Sequence, residues 1–295
     1  MMIDAKAKGV LCAVGAAVSY GLNPLGALPL YADGISTSTV LFYRYSLAVV
    51  MLTLWLAVRR KSFVVRRRQL VVIVPLGILF ALSSITLFYS FHYMAAGIAC
   101  TLLFVYPVMV AAMMSLFFHE KLTPAAVISI VLALAGIALL YKGDGGEALS
   151  FTGVMFVFAS SLSYAVYIII VNKSSLGMSS VKLTYYVLIV GVMVILLNAH
   201  SGDDGYGIQL LHTWRQWCCA LVLALFPTVI SLVLMAVAVK LVGSTPTAVI
   251  GALEPVTAVV VGVTLFSEPL TWRLSIGIVL ILFAVVLILR HPSHH

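Results

Sequence analysis

Residues 252–271 read ALEPVTAVVVGVTLFSEPLT, which places a carboxylate, Glu254, beside Pro255 in a stretch otherwise fit for hydrocarbon. An ionised side chain near a bilayer midplane costs at least ~2.5–3.5 kcal/mol on insertion scales, so it needs a use. Two kinds of chemistry supply one: titration of a proton, or binding of a substrate ammonium. The alternative is a structural carboxylate hydrogen-bonded to a broken helix or a neighbouring span. Thr247, Gly251, Ala258 and Gly262 recur at helical spacing on or near the same face. Small faces pack against other helices, so Glu254 is expected to point into a helix bundle. Arg44, in LFYRYSL, is the second charge expected within a span, ~10 Å deep at 1.5 Å per residue. It suits pairing with Glu254 or a two-pronged grip on a substrate carboxylate. Snorkelling to the headgroups is the alternative.

Polar and aromatic positions offer a cavity wall: Tyr20 and Asn23, then Ser163, Tyr164 and Tyr167, joined by Tyr89 and Tyr106. Tyrosine presents an apolar face and one hydrogen bond, which suits an amphipathic organic molecule. An interfacial belt or helix packing is the other use of any one of them. Pro107 and Pro255 each remove a helical hydrogen bond, so a bend is predicted in each span. His119 and Glu120 are adjacent but residue 123 is Thr, so the H-E-x-x-H metal spacing is missing and no metal site is expected.

These side chains need elements to hold them. The chain has 295 residues, 63% hydrophobic and 9% charged, with a mean hydropathy of +1.18. A soluble domain carries roughly 25% charged residues. At ~20 apolar residues per span, ten spans are predicted, at about 9–30, 37–58, 70–91, 95–118, 124–141, 151–171, 181–199, 214–239, 244–266 and 272–290. The expected class is an all-α polytopic membrane protein. With a cytoplasmic N-terminus, Lys6, Lys8, Arg59, Arg60, Lys61, Arg66, Arg67, Arg68, Lys121, Lys173, Lys182, Lys240 and Arg290 lie inside; only Lys142, Arg215 and Arg273 lie outside. That bias puts both termini in the cytoplasm of a multi-pass cell-membrane protein. The run RRKSFVVRRR is then a topology anchor beside anionic lipid rather than a nucleic-acid site.

The opening stretch has a partner. FVYPVMVAAMMSLFFHEKLT at 104–123 aligns with it at an offset of 148, matching Pro107 to Pro255, Phe118 to Phe266 and Glu120 to Glu268. SYGLN at 19–23 meets SYAVY at 163–167 at an offset of 144. Two halves, 1–141 and 151–290, therefore share a pattern. Five spans each is an odd number, so the halves are expected to be inverted, an architecture of secondary transporters.

On these motifs and the two-by-five layout, the chain resembles the EamA family of the drug/metabolite transporter superfamily over nearly its whole length. The resemblance implies two five-helix repeats around a central cavity. It implies a permease for small polar or amphipathic metabolites such as amino acids, often an exporter, working by alternating access. Protons are a candidate coupling ion, and facilitated diffusion suits the residues equally. No cofactor and no ATP hydrolysis, hence no ATPase subunit, is implied; the chain lacks G-x-x-x-x-G-K-[ST]. The rival readings are a membrane-embedded enzyme, which needs a catalytic pair on facing helices, and a non-transporting membrane scaffold.

Overall fold

Hydrogen bonding within each segment is the condition for crossing hydrocarbon, and helices satisfy it across the described apolar segments. The computed structural model describes residues 2–118, 124–141, 149–174, 177–201, 207–242, 247 and 250–290. The helices are α1 (Met2–Gly21), α2 (Asn23–Ala32), α3 (Thr37–Val58), α4 (Arg67–Ser90), α5 (Ala96–Leu103), α6 (Tyr106–Phe118) and α7 (Pro124–Tyr141). They continue with α8 (Phe151–Lys173), α9 (Ser180–Ser201), α10 (Trp214–Ala224), α11 (Ser231–Val242), α12 (Leu253–Phe266) and α13 (Trp272–Arg290). A π-helical segment, Leu225–Ile230, joins α10 to α11. The chain is a multi-pass membrane protein. Among the described residues, seven stretches are long and apolar enough to cross: Ala5–Ala32, Thr37–Val58, Arg67–Ser90, Ala96–Phe117, Phe151–Val171, Ser180–Ser201 and Trp214–Val242. Val127–Leu139, Leu253–Phe266 and Trp272–Leu287 are apolar but shorter.

Polar side chains close the helix ends. The Ser36 hydroxyl accepts from the Thr39 N–H at the start of α3, and Ser150 does the same for Gly153 at α8. At α10, Thr213 and Gln216 cap reciprocally, satisfying N–H groups that the first turn leaves without partners.

Interruptions fall in the spans that carry the prolines. A turn at Leu22 separates α1 from α2, with Pro24 in the first turn of α2. A turn at 104–105 separates α5 from α6, whose first turn holds Pro107. Another at 251–252 precedes α12, whose first turn holds Glu254 and Pro255. The bends expected at Pro107 and Pro255 are therefore helix restarts. In a first turn the missing N–H has no intrahelical acceptor to lose, so proline costs little there. Glu254 likewise lies at a helix start rather than midway along a continuous helix.

Helices pair across the chain: α1 with α11, α3 and α4 with α9, α4 with α8, α5 and α1 with α12, and α7 with α13. The small face expected around Glu254 is buried at Thr247, Gly251, Ala258 and Gly262. The HEKLT turn, with His119 and Glu120, lies outside the described residues, so the match of Glu120 to Glu268 is a sequence observation only.

Candidate functional site

Where the interrupted segments meet, they enclose a cavity of about 100 Å³. Tyr20, Gly21 and Asn23 reach it from the α1–α2 break, Phe104 and Tyr106 from the α5–α6 break, and Glu254 and Pro255 from the start of α12. Tyr164 of α8 closes one side, and Cys100, Ser231 and Met235 add to the wall. The aromatic rings brace one another. Tyr106 meets Tyr164 edge-on at 4.7 Å between centroids, and Phe104 meets Tyr106 at 5.8 Å. Volume on this scale holds a few waters.

Beside the hydroxyls of Tyr20, Tyr106, Tyr164 and Ser231, the cavity wall carries Asn23 and Glu254. Asn23 is 1% exposed; its Nδ2 donates to the Tyr20 carbonyl at 2.8 Å, while its Oδ1 is buried without a hydrogen-bond partner among the described residues. A buried unsatisfied acceptor costs ~1–3 kcal/mol, so Oδ1 favours a donor brought into the cavity. The Glu254 carboxylate supplies a second acceptor in the same wall.

Arg44 lies outside this lining. It is 2% exposed, and its Nε donates to Thr228 Oγ1 at 3.1 Å. The guanidinium carbon sits 5.2 Å from the Phe88 ring centroid and 6.0 Å from that of Tyr45. No ion pair joins it to Glu254, so the pairing weighed from sequence is not formed, and the buried placement rules out snorkelling here. Thr228 owes its position to Pro227. A proline at 227 cannot donate to the carbonyl four residues earlier, that of Leu223. The Thr228 hydroxyl donates to that carbonyl instead, at 3.1 Å, and turns a lone pair to Arg44. π-Segments of this kind recur at functional sites.

A second carboxylate ties the α12 end to α5. Ser267 ends α12 in the left-handed region at φ 54°, and the Glu268 N–H donates back to the Gly262 carbonyl at 3.0 Å. This turn lays the Glu268 side chain over Gly262, where an added Cβ would meet its Cδ at 2.6 Å. The carboxylate then accepts from the Ala96 N–H at 2.8 Å and the Gly97 N–H at 3.2 Å, two donors that α5 leaves unpaired. Burial pushes the Glu268 carboxyl above its ordinary range, against the lowering pull of the two amides. A folded pKa raised above the unfolded one gives stability present below the unfolded pKa and lost as pH rises through the folded one. The melting temperature should therefore fall as pH climbs through and above the ordinary carboxylate range, and Glu268→Gln should flatten that slope. Equal slopes in both proteins, measured by thermal unfolding in detergent, would contradict this.

The sequence matches the profile of the EamA-like transporter family over residues 7–142 and 151–290. The chain belongs to this family. Among relatives, it is 26% identical over 222 residues to the uncharacterized transporter YvbV of Bacillus subtilis (strain 168), covering 72% of this chain and 71% of that protein. It is 25% identical over 288 residues to an uncharacterized transporter of Archaeoglobus fulgidus, covering 96% and 98%. A solved crystal structure superposes with a TM-score of 0.68 at 15% identity, over 95% of this chain and 96% of that one, and shows the shared fold alone.

Of the side chains singled out by sequence, this EamA transporter brings Tyr20, Asn23, Tyr106, Tyr164, Glu254 and Pro255 into one wall. Tyr167 stacks on Tyr164 at 5.8 Å and meets Phe80 at a tilt at 5.5 Å, outside the cavity lining. Tyr89 stacks on Phe156 at 5.8 Å. Ser163 lines no part of the cavity; the buried serines of α8 are Ser160, donating to the Ser83 carbonyl at 2.7 Å, and Ser161, donating to that of Leu103 at 3.2 Å. Sequence reasoning missed Cys100, Phe104, Ser231, Met235 and Thr228. Only Thr228 carried a signal, as the hydroxyl next to a mid-span proline.

Proposed function

We propose that this EamA transporter is a secondary permease for small organic amines, amino acids among them. They bind where Tyr20, Asn23, Tyr106, Tyr164 and Glu254 converge. The observation that carries this reading is the buried Asn23 Oδ1 without a donor, in one wall with a carboxylate and three tyrosines. Two acceptors suit the N–H groups of an ammonium, and ring faces attract a cation. Arg44, outside the lining, serves the scaffold of the π-segment in this reading. Among the described residues, Arg44 and Glu254, the two charges expected within spans, do not meet, which favours the permease over the enzyme alternative.

All ten apolar segments cross the membrane in this proposal, as two inverted halves with both termini cytoplasmic. The packing supports the two-fold relation. Numbering the ten predicted spans in order, the main partners are one with eight and nine, two with seven and eight, three with six and seven, four with six and nine, and five with ten. Exchanging the halves, one for six and so on, returns the same set of pairs, which a two-fold axis requires. Reporter fusions after residues 65 and 205 should report opposite sides; the same side for both would remove the inversion.

Alternating access is the mechanism in this proposal, with the cavity between the halves as the site that each side reaches in turn. Flux of a metabolite panel through proteoliposomes, with and without a pH gradient, tests the function. Amines and amino acids should move or compete, and carboxylates without an amino group should not. A panel in which only the latter move would overturn the amine assignment while leaving transport standing.

A further inference from the structure

A second cavity, open to solution and about 640 Å³ in volume, lies between the loop before α4 and the start of α9. Lys61, Arg66 and Lys182 line it together with the hydroxyl residues Ser62 and Ser179. The flanking segments 59–69 and 177–182 contain Arg59, Arg60, Lys61, Arg66, Arg67, Arg68 and Lys182 and no acidic residue. Asp33, Glu254 and Glu268 belong to other places: Asp33 faces Arg215 at 3.5 Å, and the other two were placed above.

The loop is pinned rather than loose. Lys182 Nζ donates to the Val64 carbonyl at 2.7 Å, and the Tyr186 hydroxyl donates to the Phe63 carbonyl. The Phe63 ring meets Tyr185 edge-on at 5.9 Å. At the other end, the Arg66 N–H donates to Gln69 Oε1 at 2.9 Å. These contacts hold cations from two distant parts of the sequence around one space. Like charges so held repel, and a multiply charged oxyanion relieves all of them at once. Phosphate fits best among biological anions, because guanidinium and ammonium donors bind its oxygens with charge-assisted hydrogen bonds.

We propose that this cavity is a phosphate-binding site, separate from the transport cavity, with Lys61, Arg66 and Lys182 as its charged ligands. The phosphate comes either from the headgroup of an anionic lipid or from a soluble phosphate. The size leaves room for the group esterified to it.

The full chain is reconstituted in phosphatidylcholine nanodiscs, and thermal stabilisation is followed during titration with inorganic phosphate. In a second arm, nanodiscs containing increasing phosphatidylglycerol replace added phosphate. The triple variant Lys61→Gln, Arg66→Gln, Lys182→Gln is compared with Lys6→Gln, Lys8→Gln, Lys240→Gln, which removes the same charge elsewhere. Stabilisation of the wild type by ligand binding should need at least tenfold more ligand in the site variant and be unchanged in the other. A response to phosphate alone assigns a soluble ligand, and a response only to phosphatidylglycerol assigns the lipid; either supports the site. No response of the wild type to both, or equal responses of the two variants, overturns it. Flux is not the readout, so the site stands or falls apart from the transport reading.

Discussion

Replacing Glu254 by Leu should reduce amine flux by about 30-fold or more, because truncating a buried charged partner costs ~2–5 kcal/mol and each 1.4 kcal/mol is tenfold. Glu254→Gln separates the two uses of the carboxylate. Glutamine keeps the shape and one acceptor oxygen, so a carboxylate that only receives hydrogen bonds from a substrate or a helix end is nearly replaced. It cannot titrate. Should Glu254 carry the coupling proton, the glutamine variant still binds and exchanges substrate but no longer responds to a pH gradient. Should its charge hold the substrate ammonium, exchange itself weakens, and neutral amides lose less than amines. A third pattern, silent Gln with poorly expressed Leu, makes the group structural at the α12 start, where it occupies the first turn beside Pro255. Wild-type flux and pH response in both variants would falsify every role assigned to Glu254. Asn23→Leu provides the complementary measurement. It removes the orphaned Oδ1, so it should weaken amine binding while leaving the pH response in place.

What the sequence disclosed depended on contrast. Glu254, Asn23, Tyr20, Tyr106 and Tyr164 stand out because polar groups are costly in apolar stretches and need protein partners. Pro107 and Pro255 marked the interruptions for the same reason, though their positions as restarts rather than bends depend on where the preceding turn falls. Cys100, Phe104 and Met235 share the composition of every lipid-facing position and gave no contrast. Ser163 belongs to the SYAVY match with SYGLN, which points past Ser160 and Ser161 in α8, a helix with little polar-to-apolar contrast between its faces. Such a helix has no amphipathic period from which to read its inner face, and shifting one residue rotates a side chain by about 100°. Thr228 required a chain of three facts: a proline, the Leu223 carbonyl it leaves free, and a hydroxyl able to reach both that oxygen and Arg44. The first two were legible, but the third depends on the π-segment geometry.

Gly21→Ala should lower stability by ~1–3 kcal/mol, the usual cost of overpacking a close contact, and should suppress flux in whatever protein still folds. Gly21 ends α1 at the cavity wall. A Cβ there would meet the Glu254 backbone oxygen at 2.6 Å and Thr257 Cβ at 2.5 Å. Neither atom is the far end of a flexible side chain, so relief requires α1 and α12 to separate. No substitution at 254 or 257 removes both contacts: glycine at 257 removes only the Cβ contact, and the Glu254 carbonyl remains in every case. Second-site rescue at Thr257 should therefore be partial at best. Gly15→Ala is the control within the same helix. Its added Cβ meets only Leu234 Cδ1, at 3.0 Å, a leucine tip free to change rotamer, so melting and flux should stay close to wild type. The contrast between two alanines six residues apart separates contact geometry from helix propensity, since alanine favours the helix equally at both positions. A Gly21→Ala protein that melts and transports like the wild type would mean that α1 does not lie against the Glu254 turn, and the cavity built on that contact would lose its wall.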